Sequence, residues 1–131
     1  MKPISFDGPE KLEKSVEIGT LCAFYGGLLT DKQQDALRLH YEEDLSLGEI
    51  AEELETSRQN VHELITRSVQ KLRRYEEALG AVRRAEETAK TLRQAQKLIR
   101  EAAERAPAEA HTGLAEAIEM IGHIIRRQEG D

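Results

Sequence analysis

Leu47-Gly48-Glu49-Ile50-Ala51-Glu52-Glu53-Leu54-Glu55-Thr56-Ser57-Arg58-Gln59-Asn60-Val61-His62-Glu63-Leu64 is the stretch whose reading decides the fold. Ile50, Ala51, Leu54, Val61 and Leu64 fall at the internal positions of two helices that cross at a tight corner. Ala51 is small where the second helix must pass close to the first. Thr56 and Ser57 precede that second helix, and Ser57 is a good cap because its hydroxyl accepts an orphan N–H of the first turn. Arg58, Gln59, Asn60 and His62 then form the polar, basic leading edge of a helix suited to the major groove of DNA. The pattern is that of a helix-turn-helix. Many such units place glycine where this chain has Glu55, since the backbone there turns left-handed. A side chain at that position costs roughly 1 kcal/mol, so a more open corner is expected.

Upstream, two capping boxes mark helix starts: Thr30-Asp31-Lys32-Gln33 and Ser46-Leu47-Gly48-Glu49. In each, the hydroxyl caps the helix and the fourth residue reaches back to the cap's own N–H. Leu45 and Ile50 stand where a hydrophobic staple would set the direction in which the chain enters the second of these helices. The helix opened by Thr30 carries Ala36, Leu37, Leu39, His40 and Tyr41 and stops near Glu42-Glu43-Asp44. An earlier helix is predicted from about Glu10 to Tyr25, with Val16, Leu21, Cys22, Phe24 and Tyr25 available for packing. Gly26-Gly27 ends it. Residues 1–9, with Pro3, Gly8 and Pro9, read as a loose arm.

Downstream, the helix from Ser57 runs through Val61, Leu64, Ile65, Val69, Leu72 and Tyr75 to about Leu79. Gly80 either ends it or is tolerated within a longer helix at about 1 kcal/mol relative to alanine; the reading adopted is a break. A further helix follows from Val82 to about Arg105, ended by Ala106-Pro107, because the residue before proline is pushed away from helical angles. The last runs from Ala108 to about Gln128, with Leu114, Ile118, Ile121 and Ile125 on one stripe. Stripes this narrow need a partner, as in a coiled-coil seam. Either a homodimer or an intramolecular hairpin supplies it. The fold class is therefore all-α: a helix-turn-helix domain over 10–79 and a C-terminal helical extension over 80–131.

Composition agrees. Of 131 residues 34% are charged, and no run alternates β-branched with polar residues, so no sheet is expected. Phe6, Phe24, Tyr25, Tyr41 and Tyr75 are the full set of aromatics, which leaves a modest aliphatic core. The net charge of −6 argues against a protein that coats nucleic acid indiscriminately. Its distribution is uneven. Residues 31–57 set Lys32 and Arg38 against nine acids, whereas 58–74 set Arg58, Arg67, Lys71, Arg73 and Arg74 against Glu63 alone. A basic helix beside an acidic scaffold can address phosphate while the rest repels it; the alternative is a solvated helix face.

The single cysteine, Cys22, excludes an intrachain disulfide and fits a reducing compartment. No signal-like or membrane-length apolar run is present, so a cytoplasmic protein without membrane insertion is expected. His40, His62, His111 and His123 suggest no metal site: His40 and Asp44 are one turn apart, but no third ligand is near. No phosphate-binding loop, nucleophile elbow or dinucleotide fingerprint occurs. We expect a protein that is not an enzyme and takes no cofactor. On motif and charge, the nucleic-acid-binding residues are Arg58, Gln59, Asn60, His62, Arg67 and Lys71, with Gln59 and Asn60 on base edges and Arg58, Arg67 and Lys71 on phosphates.

From about Cys22 to Leu79 the chain also resembles the YlxM family of small helix-turn-helix proteins. The matching text is Phe24-Tyr25-Gly26-Gly27-Leu28-Leu29-Thr30-Asp31-Lys32-Gln33, then Leu45-Ser46-Leu47-Gly48-Glu49-Ile50-Ala51-Glu52-Glu53, Ser57-Arg58-Gln59-Asn60-Val61, and Tyr75-Glu76-Glu77-Ala78-Leu79-Gly80. That family is in turn similar to region 4 of bacterial primary-type sigma factors, where a comparable helix reads the −35 promoter element. The resemblance implies an all-helical, dimeric, cytoplasmic bacterial protein that binds DNA or acts in the signal-recognition-particle pathway. There it would touch the particle's RNA or its GTPase. It assigns Arg58, Gln59, Asn60, His62 and Arg67 to the contacting face. The chain departs from it at Glu55, at the less basic Asn60 and His62, and in a tail after Pro107 longer than the resemblance implies.

Overall fold

The computed structural model describes residues 9–128. Its elements are α1 (Pro9–Tyr25), α2 (Asp31–Leu37), α3 (Leu47–Glu53), α4 (Arg58–Leu79), α5 (Ala81–Ala103) and α6 (Ala108–Gln128). A 3₁₀ turn over Gly26–Leu28 and a π-helical turn over Arg38–Glu42 join them. No strand occurs among the described residues, and the protein is all-α with a helix-turn-helix in α3–α4. Of the arm expected over 1–9, Pro9 opens α1 and the rest lies outside the described residues. The chain forms two compact units, Met1–Gly80 and Ala81–Asp131.

Capping fixes the first unit's boundaries. Thr30 Oγ1 accepts from the Gln33 N–H at 3.2 Å while Gln33 Oε1 accepts from the Thr30 N–H at 3.0 Å. Ser46 and Glu49 repeat this exchange at 3.1 and 3.2 Å. Each reciprocal pair satisfies two N–H groups that no helix carbonyl reaches. The helix opened by Thr30 widens into its π turn from Arg38, where the Glu43 N–H reaches back five residues to the Arg38 carbonyl at 3.1 Å. Leu39 stays buried through that turn, and Asp44 follows it at φ 56°. Aspartate is among the few residues that take this left-handed geometry readily.

The first core is aliphatic: Ile18, Leu37, Ile50, Val61, Ile65 and Leu72 are each at most 2% exposed. Burying each such side chain is worth about 1.5–3 kcal/mol. Two expected core residues of α1 face outward instead: Val16 is 62% and Phe24 38% exposed. The buried stripe of α1 is Ile18, Leu21 and Tyr25, at intervals of three and four. Val16 lies on the opposite side of the cylinder and Phe24 on the flank of this stripe. Tyr25 ties the two ends of this core by donating its hydroxyl to Glu76 Oε1 at 2.6 Å, with its ring 6.0 Å from that of Tyr75.

Gly80 ends α4. It sits at φ 62°, ψ 24°, its N–H bonded to the Glu76 carbonyl at 2.7 Å, so the break is real and uses glycine's access to the left-handed region. In the second unit α5 and α6 pair antiparallel as a hairpin, which is how the narrow stripes are used. Val82, Ala85, Ala89 and Ile125 are buried. Gln96 crosses to α6 and donates to the Ile118 carbonyl at 3.1 Å.

Candidate nucleic-acid interface

The corner between α3 and α4 closes despite the missing glycine. Glu55 itself adopts φ 54°. The Thr56 N–H then reaches the Ala51 carbonyl at 2.9 Å and the Leu54 N–H the Ile50 carbonyl at 2.8 Å. The more open corner expected from Glu55 does not occur, because hydrogen bonds and the burial of Ile50, Ala51 and Val61 outweigh a strain of about 1 kcal/mol. Ser57 Oγ caps α4 by accepting from the Asn60 N–H at 3.1 Å.

Burial along α4 defines its outer side. Val61, Ile65, Ser68, Val69 and Leu72 face the core. Opposite them run Gln59, Glu63, Arg67, Gln70 and Arg74, all exposed, in steps of four, four, three and four. The side chains of Gln59, Glu63 and Arg67 make no hydrogen bond or ion pair with other described residues, so their polar atoms are available to a partner.

The six residues singled out from sequence do not share one face. Gln59 and Arg67 lie on the outer stripe, with exposed Asn60 and half-buried Lys71 along one flank. Asn60 is held in place: its side-chain amide donates to Thr56 Oγ1 at 3.0 Å. Arg58 is turned toward α3, where its guanidinium lies over Gly48. A Cβ at Gly48 would stand 3.4 Å from Arg58 Nε and 3.7 Å from Cζ. That places Arg58 in the notch between the two helices, off the outer stripe. His62 is half-buried on the stripe of Thr66, Val69 and Arg73. Three turns further along it, Arg73 meets Glu17 of α1 at 3.5 Å. The Thr66 hydroxyl on the same side is buried and finds no partner among the described residues.

Sequence reasoning passed over Glu63, Gln70 and Arg74. The signal was there: each lies three, four or seven residues from Gln59 or Arg67, the spacing of helical neighbours. Charge counting hid it, because Glu63 appeared only as an offset to five basic residues. The outer side of α3 is acidic, with Glu49, Glu52 and Glu53 exposed and no basic residue in the helix. Cationic contacts in this unit's helix-turn-helix therefore come from α4.

Elsewhere in this unit, a cleft of about 370 Å³ between α1 and the segment 34–42 is lined by Cys22, Arg38, Tyr41 and Glu42 among others. Burial pushes the Cys22 thiol above its usual range, and nearby Glu42 adds to the shift. Burial also raises the Tyr41 phenol. A thiol so shifted is a poor nucleophile at neutral pH. Among the described residues no three His, Cys, Asp or Glu side chains are grouped to hold a metal ion, and no helix is long and apolar enough to cross a membrane.

Residues 12–110 match the sequence model of UPF0122, described as a helix-turn-helix protein, YlxM / p13 like. A UPF0122 protein of Bacillus pumilus is 39% identical over 110 residues, 84% of this chain and 97% of its own length. One from Desulforamulus reducens is 47% identical over 76 residues, and the match spans 65% of that relative's length. One from Geobacillus kaustophilus is 48% identical over 75 residues, 57% of this chain and 68% of its own length. No solved structure matches the chain.

Proposed function

The chain belongs to the UPF0122 family of YlxM / p13 like helix-turn-helix proteins, and from that premise we propose that it is a DNA-binding regulator that lays α4 in the major groove. Gln59 and Glu63 address base edges: a glutamine suits adenine, and a carboxylate accepts from the cytosine amino group. Asn60, pinned by Thr56, borders them. Arg67, Lys71 and Arg74 hold phosphates, with Arg58 on the backbone flank and His62 outside the contact. The observation that carries this reading is the unengaged outer stripe of Gln59, Glu63 and Arg67 on a helix anchored by Leu72, Ile65 and Val61. Glu63 and the acidic α3 weaken indiscriminate phosphate binding and leave selection to base contacts. The protein acts as a cytoplasmic homodimer whose two α4 helices meet successive half-sites, and it performs no catalysis.

Mobility-shift measurement on genomic DNA fragments at low salt tests this. Binding is expected, and Arg67→Ala and Lys71→Ala should each lower the slope of log affinity against log salt by about one. Failure to shift any fragment at low salt ends the reading.

A second reading has the chain serve the signal-recognition-particle pathway, touching its GTPase through the acidic α3 or its RNA through the basic α4. It rests on the YlxM resemblance and on the acidic outer side of α3, which suits a basic protein surface better than DNA. Co-purification with the particle, lost on reversing Glu49, Glu52 and Glu53 to lysine, is its expected signature. Unchanged GTPase turnover together with no co-purification excludes it.

A further inference from the structure

Helix α6 of the C-terminal hairpin carries a second apolar stripe beside the one that closes the hairpin. It comprises Gly113, Ala117, Met120 and Ile124, in steps of four, three and four, while on α5 Ala95 lies beside the closing residues Val82, Ala85, Ala89, Leu92 and Ile99. Antiparallel helices wind in opposite senses viewed down one axis, so residues on the same angular side of each closing stripe emerge on one side of the hairpin. These do. The other side is charged, with Lys90, Lys97, Arg100 and Glu104 on α5 and Glu119 and Arg126 on α6. On the apolar side Met120 remains 68% and Ile124 42% exposed. Two adjacent stripes at these intervals belong to a helix with two packing neighbours, as in a four-helix bundle.

We propose that a second copy of the chain covers this face, hairpin against hairpin, with α6 antiparallel to the partner's α6. This rests on the homodimer reading above and names its interface. A two-fold axis between Ile118 and Glu119 sets Gly113 against the partner's Ile124 and Ala117 against the partner's Met120, small against large in both cases. The hole at Gly113 is open, since a Cβ there would meet nothing within 4 Å. The same axis matches charge. Glu109 and Glu116 lie on the outer edge of the first half of α6, and His123 and Arg127 on that edge of the second half. Glu109 thus comes within about one residue of level with the partner's Arg127, and Glu116 within about two of the partner's His123, offsets of roughly 1.5 and 3 Å along the axis. Neither Glu109 nor Arg127 is ion-paired to another described residue. Size fits as well. A helix of this length spans ~30 Å and two abreast ~20 Å, a footprint of roughly 600 Å² that approaches the roughly 800 Å² per partner of a stable interface. Because the family match ends at residue 110, most of α6 and this complementarity lie outside it.

Sedimentation equilibrium and light scattering on the full chain decide the matter. The wild type should be a dimer. Met120→Glu should make it a monomer with unchanged helical circular dichroism. Glu109→Lys and Arg127→Glu should each weaken the dimer about fivefold or more, and the double variant should restore it. A monomeric wild type overturns both the homodimer reading and this interface. A dimer indifferent to Met120→Glu, or a double variant no tighter than the singles, overturns this interface alone and leaves the homodimer standing.

Discussion

In the helix-turn-helix unit, Ile50, Val61 and Leu72 are completely sealed from solvent, whereas in the C-terminal hairpin the most buried long side chain, Ile125, keeps 7% of its surface exposed. The hairpin's Leu92, Ile99, Leu114, Ile118 and Ile121 are only half-buried. The difference is geometric. In the first unit α4 is met by α1, α2 and α3 from different directions, so each core side chain is enclosed. Two helices side by side enclose a single line of contact and leave both flanks open. A unit built this way gains less from each apolar residue and keeps the remainder for another surface. The first unit encloses α4 on several sides, and the second leaves apolar surface uncovered.

That contrast can be broken by mutation. Leu72→Ala should destabilise the first unit by about 3–5 kcal/mol, measured by urea unfolding, since a sealed cavity cannot collapse. Ile118→Ala, half-buried in the hairpin, should cost roughly half as much at protein concentrations where the chain is monomeric. Equal losses would abolish the distinction. Arg67→Ala should weaken DNA binding about equally across sequences, with a salt slope lower by about one, while leaving thermal unfolding unchanged. Gly48→Ala sets a methyl in van der Waals contact with the Arg58 guanidinium and leaves its seat on α3 in place, so affinity should change by less than with Arg67→Ala, with helix stability improved.

Smaller effects sharpen the picture of the first core. Thr66→Val replaces a buried, unpartnered hydroxyl with a methyl and should raise stability by about 0.5–1 kcal/mol. In the cleft beside α1, Cys22 should resist thiol reagents at neutral pH and react faster as pH rises past its ordinary range. The shift favours the protonated thiol, and only the thiolate attacks. Rapid labelling at pH 7 would show that the thiol is not held up by burial.

How much of this was legible in the chain depends on the range of the interaction. Both capping boxes, the Ser57 cap, the glycine stop at residue 80 and the break before Pro107 rest on groups within four residues of one another, and the structure contains them. The outward turn of Val16 and Phe24 was not legible, because apolarity alone does not say which side of α1 meets the core. The π turn at Arg38–Glu42 likewise has no local signature.

For the candidate site, local order placed Gln59 and Arg67 on a solvent-facing helix, and composition marked that helix as basic. Tertiary contacts assigned the remaining roles. Arg58 lies over Gly48 of α3, His62 is half-buried away from the outer stripe, and Glu63 falls between Gln59 and Arg67 on it. Sequence by itself determined where helices begin, end and turn, since caps and glycines act through neighbouring backbone groups. Only the tertiary structure decided which side of each helix is surface, because that depends on residues distant in the chain arriving on one side and leaving the other open.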